Sequence, residues 1–93
     1  MVAYRNSTQI VAQMLTAAAE SGQSGIKTTH LLTKSNLSHG RLSKFVKNLI
    51  GSGLINKIDY DGKNTFVITQ KGRTYLDEYQ KFTNLAGSFG LDM

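Results

Sequence analysis

A chain of 93 residues holds one domain with a small core, since a domain of that size buries only about two thirds of the surface its unfolded chain exposes. The absence of cysteine removes disulfides and thiolate metal sites and makes a reducing, intracellular setting the simplest expectation; no apolar run approaches the roughly 20 residues that span a bilayer, so a soluble, unprocessed protein is expected. The formal net charge is +5, and the whole excess falls before Gly51, where Arg5, Lys27, Lys34, Arg41, Lys44 and Lys47 stand against Glu20 alone.

In chain order, Asn6 or Ser7 can cap a first helix, in which Ile10, Val11, Met14, Leu15 and Ala18 recur at helical spacing. Ser21 to Gly25 then stops it, because glycine tolerates a left-handed backbone and serine favours turns. Ile26 opens a very short extended piece. Thr28 or Thr29 is a suitable N-cap for a second, short helix through about Lys34, with Leu31 and Leu32 turned inward. Ser35-Asn36-Leu37 is the turn, and Ser38 caps a third helix that reaches Ile50.

That third helix carries its apolar residues, Leu42, Phe45, Val46, Leu49 and Ile50, on one stripe. What the stripe leaves over is Ser38, His39, Arg41, Ser43, Lys44, Lys47 and Asn48. Such a face has the chemistry to lie in a DNA major groove, and it is equally what a solvated surface helix shows. The placement of the net charge favours a polyanionic partner, since each phosphate contact releases condensed counterions.

After Gly51-Ser52-Gly53, Leu54 and Ile55 fold back on the core. Asp61-Gly62 is a strong signal for a type I′ hairpin turn, whose two central residues both need positive φ. That turn pairs Tyr60 with Lys63, Ile58 with Thr65 and Ile55 with Ile68, turns Ile55, Phe66 and Ile68 toward the core, and leaves Tyr60 to Asn64 as a projecting tip. Thr69 introduces a last helix, in which Gly72, Tyr75, Tyr79, Phe82, Ala86 and Phe89 alternate three and four apart, the spacing of a coiled-coil seam. Gly87 and Gly90 are expected to break it before Phe89, leaving residues 87–93 as a flexible tail.

Three helices, a two-stranded hairpin and a fourth helix make an α+β, mostly α chain with the winged helix-turn-helix arrangement. The chain resembles the small archaeal winged-helix DNA-binding proteins, a group of predicted transcriptional regulators and Sulfolobus chromatin-associated proteins. The resemblance is carried by STQIVAQML, KTTHLL, NLSHGRL, NLIGSGLI and VITQKGRTYLDEY and runs from about Ser7 to Phe82. It implies double-stranded DNA binding by a homodimer whose last helices pack antiparallel. Residues 1–69 then form the DNA-binding domain and residues 70–86 the dimerisation helix. A nucleoid-associated protein of the cytoplasm is expected, acting as a sequence-specific or semi-specific regulator; a non-specific chromatin protein and a protein-docking winged helix are the alternatives.

By position, Ser38, His39, Arg41, Ser43 and Lys44 are the base-facing candidates, with Arg41 able to fork onto a guanine or to contact a phosphate. Lys27, Thr28 and Thr29 at the second helix start, together with Lys34 and Lys47, are phosphate candidates. Lys63 at the wing tip has Asp59 and Asp61 beside it in sequence, and stands between a DNA contact and a plain turn. Tyr75, Tyr79, Phe82 and Ala86 are the dimer candidates. No metal or cofactor is expected: His30 and His39 lack partners at ligand spacing, Asp59-Tyr60-Asp61-Gly62 lacks the flanking acids of a calcium loop, and Gly22 to Gly25 lacks the lysine of a phosphate loop. Nor is there a nucleophile with its base or a carboxylate pair, so no enzyme is expected.

Overall fold

The computed structural model describes residues 6–90, so Arg5 and the last three residues of the expected tail lie outside the described residues. The first helix, α1, spans Ser7–Glu20, and Asn6 starts it through a reciprocal pair: its Oδ1 accepts from the Gln9 amide at 2.8 Å and Gln9 Oε1 accepts from the Asn6 amide at 2.9 Å. A 3₁₀ turn at Gly22–Ser24 ends it, and Ile26–Lys27 follow as β1.

β1 leads straight into α2 (Thr28–Ser35), and this overturns the expected cap. Lys27, not Thr28 or Thr29, is the N-cap residue, and it makes no side-chain cap hydrogen bond. The cause is β1 itself: Ile26 and Lys27 are held extended by pairing with Phe66 and Thr65, so the helix begins where the strand stops. Asn36 closes α2 in the left-handed region at φ 55°, a conformation asparagine tolerates better than most residues. Buried Leu37 anchors the turn, and Ser38 Oγ caps α3 (His39–Gly51) by accepting from the Arg41 amide at 3.3 Å.

At the exit of α3, Gly53 lies at φ +76°, its amide bonds the Ile50 carbonyl and the Leu54 amide reaches back to Leu49. This paired closure drops Leu54 into the core beside Leu49. The hairpin of β2 (Ile55–Tyr60) and β3 (Lys63–Ile68) has the expected register, including Tyr60 with Lys63, Ile58 with Thr65 and Ile55 with Ile68. Its turn holds Asp61 at φ 53° and Gly62 at φ 77°. The sheet has three strands where a two-stranded wing was expected, in the order β1-β3-β2. A two-residue strand is too short to show alternation, so its pairing leaves no pattern in the sequence.

The core gathers Ile10, Met14 and Leu15 of α1, Leu31 of α2, Leu42 and Leu49 of α3, and Ile55 and Phe66 of the hairpin, each side chain stabilising the fold by about 1.5–3 kcal/mol on full burial. On the opposite side of the sheet the 3₁₀ turn covers Thr65, which is only 2% exposed and donates its hydroxyl to the Ser24 carbonyl at 2.6 Å. The last helix, α4, spans Gln70–Ser88 with Thr69 Oγ1 accepting from the Gly72 amide. Gly87 and Ser88 are therefore helical rather than tail, because an exposed glycine near a helix end weakens the helix without breaking it. The chain does turn at Phe89 and Gly90, the latter at φ +74°.

Candidate nucleic-acid interface

The outward face of α3 follows from which of its residues the core takes. Leu42 and Leu49 are buried and Phe45 and Val46 half-buried, so the helical repeat places Gly40, Lys44, Lys47 and Gly51 along the line opposite them. Arg41 and Asn48, seven apart, flank that line on one side, and His39 and Ser43 flank it on the other. All eight are exposed. Ile50, expected in the apolar stripe, is 39% exposed and sits at the stripe's edge.

Gly40 and Gly51 stand at the two ends of the line with ordinary helical backbone, and a side chain at either would meet nothing within 4 Å. No internal packing calls for glycine there, although glycine costs a helix up to about 1 kcal/mol relative to alanine. The result is a low ridge of backbone with two lysines at its middle. A cleft of about 180 Å³ beside it is lined by Thr28, His39, Leu42, Ser43, Val46 and Phe66, so the start of α2 and the first turns of α3 share one surface.

The remaining candidates divide. Lys27, Thr28 and Thr29 are exposed at the start of α2, where no side chain caps the first-turn N–H groups, leaving them open to an anion. Lys34 instead lines a groove of about 510 Å³ with residues of α1 and α4, among them Gln13, Glu20 and Gln80, and none of α3. Lys63 is exposed at the wing tip directly across from Tyr60, and the register turns Asp59 to the other face of the hairpin. Lys71 was not singled out by sequence reasoning: its Cδ lies 3.7 Å from the point a side chain on Gly53 would occupy, beside the exit of α3. Its place at the very start of α4 was the available signal.

Among the described residues the ion pairs are Lys81 with Asp77 at 3.3 Å and with Glu78 at 3.6 Å, on the exposed side of α4. The hydrogen bond and charge of Asp77, then the charge of Glu78, raise the pKa of Lys81. Lys27, Arg41, Lys44 and Lys47 have no such partner among the described residues. Nor do three metal-ligating side chains gather there, and no described helix is long and apolar enough to cross a membrane.

The seam expected on α4 divides in two. Gly72 and Ala86 are buried within the chain, Ala86 at 5% exposure, while Tyr75 and Tyr79 are half-buried. Phe82, Leu85 and Phe89 remain 54%, 58% and 74% exposed along one stripe. Leu85 was missed because the three-and-four alternation passes through Ala86 instead.

The winged helix-turn-helix family matches this chain over residues 4–87. Two solved structures are similar in fold. Sso10a-2, a DNA-binding protein from Sulfolobus solfataricus, superposes with a TM-score of 0.76 at 15% identity, covering 91% of this chain and 85% of that one. F-93 of SSV1 gives 0.63 at 21% identity, covering 86% of this chain and 91% of that one. No curated protein matches the chain in sequence.

Proposed function

The chain belongs to the winged helix-turn-helix family, and from that premise we propose that it binds double-stranded DNA as a homodimer, with α3 in the major groove, as a regulator of transcription in the nucleoid of the cytoplasm. The observation that carries this reading is the outward line of α3: Lys44 and Lys47 between two exposed glycines, flanked by Arg41 and Asn48, with no protein counter-charge on any cation of that face among the described residues. A helix bound along one stripe and bare along the other fits a groove about 12 Å wide. Sso10a-2, similar in fold, is itself described as a DNA-binding protein.

In this arrangement Ser38, His39, Arg41, Ser43 and Lys44 meet the base edges, Arg41 and Asn48 being the side chains able to make paired hydrogen bonds to guanine and adenine. Lys27, Thr28 and Thr29 hold one backbone through the start of α2, while Lys47 and Lys71 border the other end of α3. Lys63 with Tyr60 reaches from the wing. The exposed stripe of Phe82, Leu85 and Phe89 supports the dimer, with Tyr75 and Tyr79 at its margin and Ala86 beneath it. A docking role for α3 is disfavoured, because the centres of protein interfaces are depleted in lysine.

Fluorescence anisotropy of a labelled duplex across a salt series tests the reading. About five phosphate contacts from each chain, about ten for the dimer, give a log–log slope near roughly −9, and charge reversal at Arg41 and Lys44 is expected to abolish binding. A flat salt response, or an affinity untouched by the reversal, refutes it. Sequencing fragments selected from random duplexes separates the regulator from a non-specific chromatin protein: a recovered palindrome supports the first, no enrichment the second.

A further inference from the structure

The side of the wing sheet that faces away from Ile55 and Phe66 is only partly covered. The 3₁₀ turn closes over Thr65 and stops there, so Ile58 and Val67, diagonal neighbours on that face, stay half-buried. They floor a depression of about 340 Å³, walled by Gly22 and Gln23 on one side and by Ile68 and Arg73 on the other. This is within the range of cavities that hold small organic molecules, about 300–1,000 Å³.

Arg73 gives the depression its charge. It is exposed and has no ion-pair partner among the described residues. Asp77, four residues on and the natural partner along a helix, is taken instead by Lys81 at 3.3 Å. A guanidinium left free at the edge of a branched-chain floor presents a planar donor fork beside an apolar plate, which matches a carboxylate attached to a flat apolar body.

We propose that the depression between Arg73 and the Ile58–Val67 face binds a small organic monocarboxylate, its carboxylate on Arg73 and its apolar body against the two side chains. The site lies outside the α3 surface and stands independently of the DNA reading. Its Gly22–Gln23 wall belongs to the 3₁₀ turn that the Thr65 hydroxyl fastens to β3 through the Ser24 carbonyl at 2.6 Å.

The test is a titration of the ¹⁵N-labelled full chain with 2-naphthoate, followed by amide shifts, with 2-naphthamide as the uncharged comparison. Saturable shifts confined to Gly22, Gln23, Ile58, Val67, Ile68 and Arg73 are expected, with the amide binding at least tenfold more weakly than the carboxylate. Arg73→Gln is expected to remove that tenfold preference and leave the amide's own affinity unchanged; because Arg73 is exposed, the variant's spectrum should otherwise overlay the parent. Absence of shifts at these residues up to millimolar carboxylate overturns the proposal, as does equal binding of acid and amide or a preference that survives Arg73→Gln.

Discussion

Thr69 donates its hydroxyl to the carbonyl of Gly53 at 2.6 Å, and the same oxygen accepts from the amide of Gly72 at 3.0 Å. One side chain therefore ties the loop that leaves α3 to the start of α4 while capping α4. The Thr69 amide adds a second tie, to the Leu54 carbonyl at 3.1 Å. Thr69→Ala removes the cap and is expected to cost about 1–2 kcal/mol, a fall of roughly 4–16 °C in melting temperature for a domain of this size. Thr69→Ser keeps both bonds and should melt close to the parent. Thermal melts of the two variants side by side check this, and equal losses would mean that the methyl group, not the hydroxyl, is what matters.

The hairpin and the α3 stripe were legible because each is fixed locally. Asp61-Gly62 dictates the turn and with it every cross-strand pair, and Leu42, Phe45, Val46 and Leu49 define a helical face from spacing alone. What the sequence concealed depends on contacts far along the chain. Thr65 is buried only because Ser24, forty-one residues earlier, returns over it, and β1 exists only because β3 offers an edge. On α4 the sequence showed an apolar band but not its rotation. In the folded chain Ala86 turns in, at 5% exposure, and Leu85 turns out, at 58%. Lys34 illustrates the same limit in the candidate interface: its charge was visible, and its place beside α1 and α4 was not.

Two glycines on helices respond to alanine in opposite senses. At Gly72 a Cβ would fall 2.7 Å from Ile68 Cγ1 and closer still to the Leu54 carbonyl oxygen, a backbone atom that cannot swing away. Helix propensity gains at most about 1 kcal/mol, whereas forcing an extra methyl into a packed contact costs about 1–3 kcal/mol, so Gly72→Ala destabilises. At Gly40 the added methyl meets nothing, so Gly40→Ala stabilises by roughly 0.5–1 kcal/mol. If DNA approaches the backbone at Gly40, the same change weakens duplex binding while the fold gains. Urea unfolding and anisotropy on one preparation read both quantities, and unaltered DNA affinity would reduce Gly40 to a weak first turn.

Lysines on different faces should separate under a salt series. Lys27 and Lys47 are the lysines placed on the phosphates at the two ends of the α3 surface, so replacing both with glutamine removes two contacts from each chain of the dimer and is expected to make the log–log slope shallower by about 3.6, four contacts at about 0.9 each. Lys34→Gln, in the groove of α1 and α4, and Lys81→Gln, already paired with Asp77 and Glu78, should leave the slope where it was. A loss spread evenly over all four would point to general attraction by net charge and against α3 as the contact surface.

The stripe on α4 makes the last case, because its exposure and its composition conflict. Phe82 and Leu85 on α4 and Phe89 at its C-cap present three large apolar side chains to water, and exposed residues of that size close together mark a contact surface more often than a bare monomer. Carboxylates at Phe82 and Phe89 would face one another, or apolar side chains, across any symmetric pairing of two such helices, and would break it. Neither ring belongs to the core, so Phe82→Asp with Phe89→Asp is expected to change single-chain stability by no more than about 0.5 kcal/mol each. Sedimentation equilibrium should show the parent as a dimer and the double variant as a monomer. The monomer can grip only one half of a DNA site, and losing the linked second contact lowers apparent affinity by roughly 10²–10⁴, while its salt slope should fall toward half because half the phosphates are met. A parent chain that sediments as a monomer at tens of micromolar removes the dimer outright; a double variant that is monomeric yet binds DNA as tightly as the parent removes the link between the α4 stripe and the α3 face.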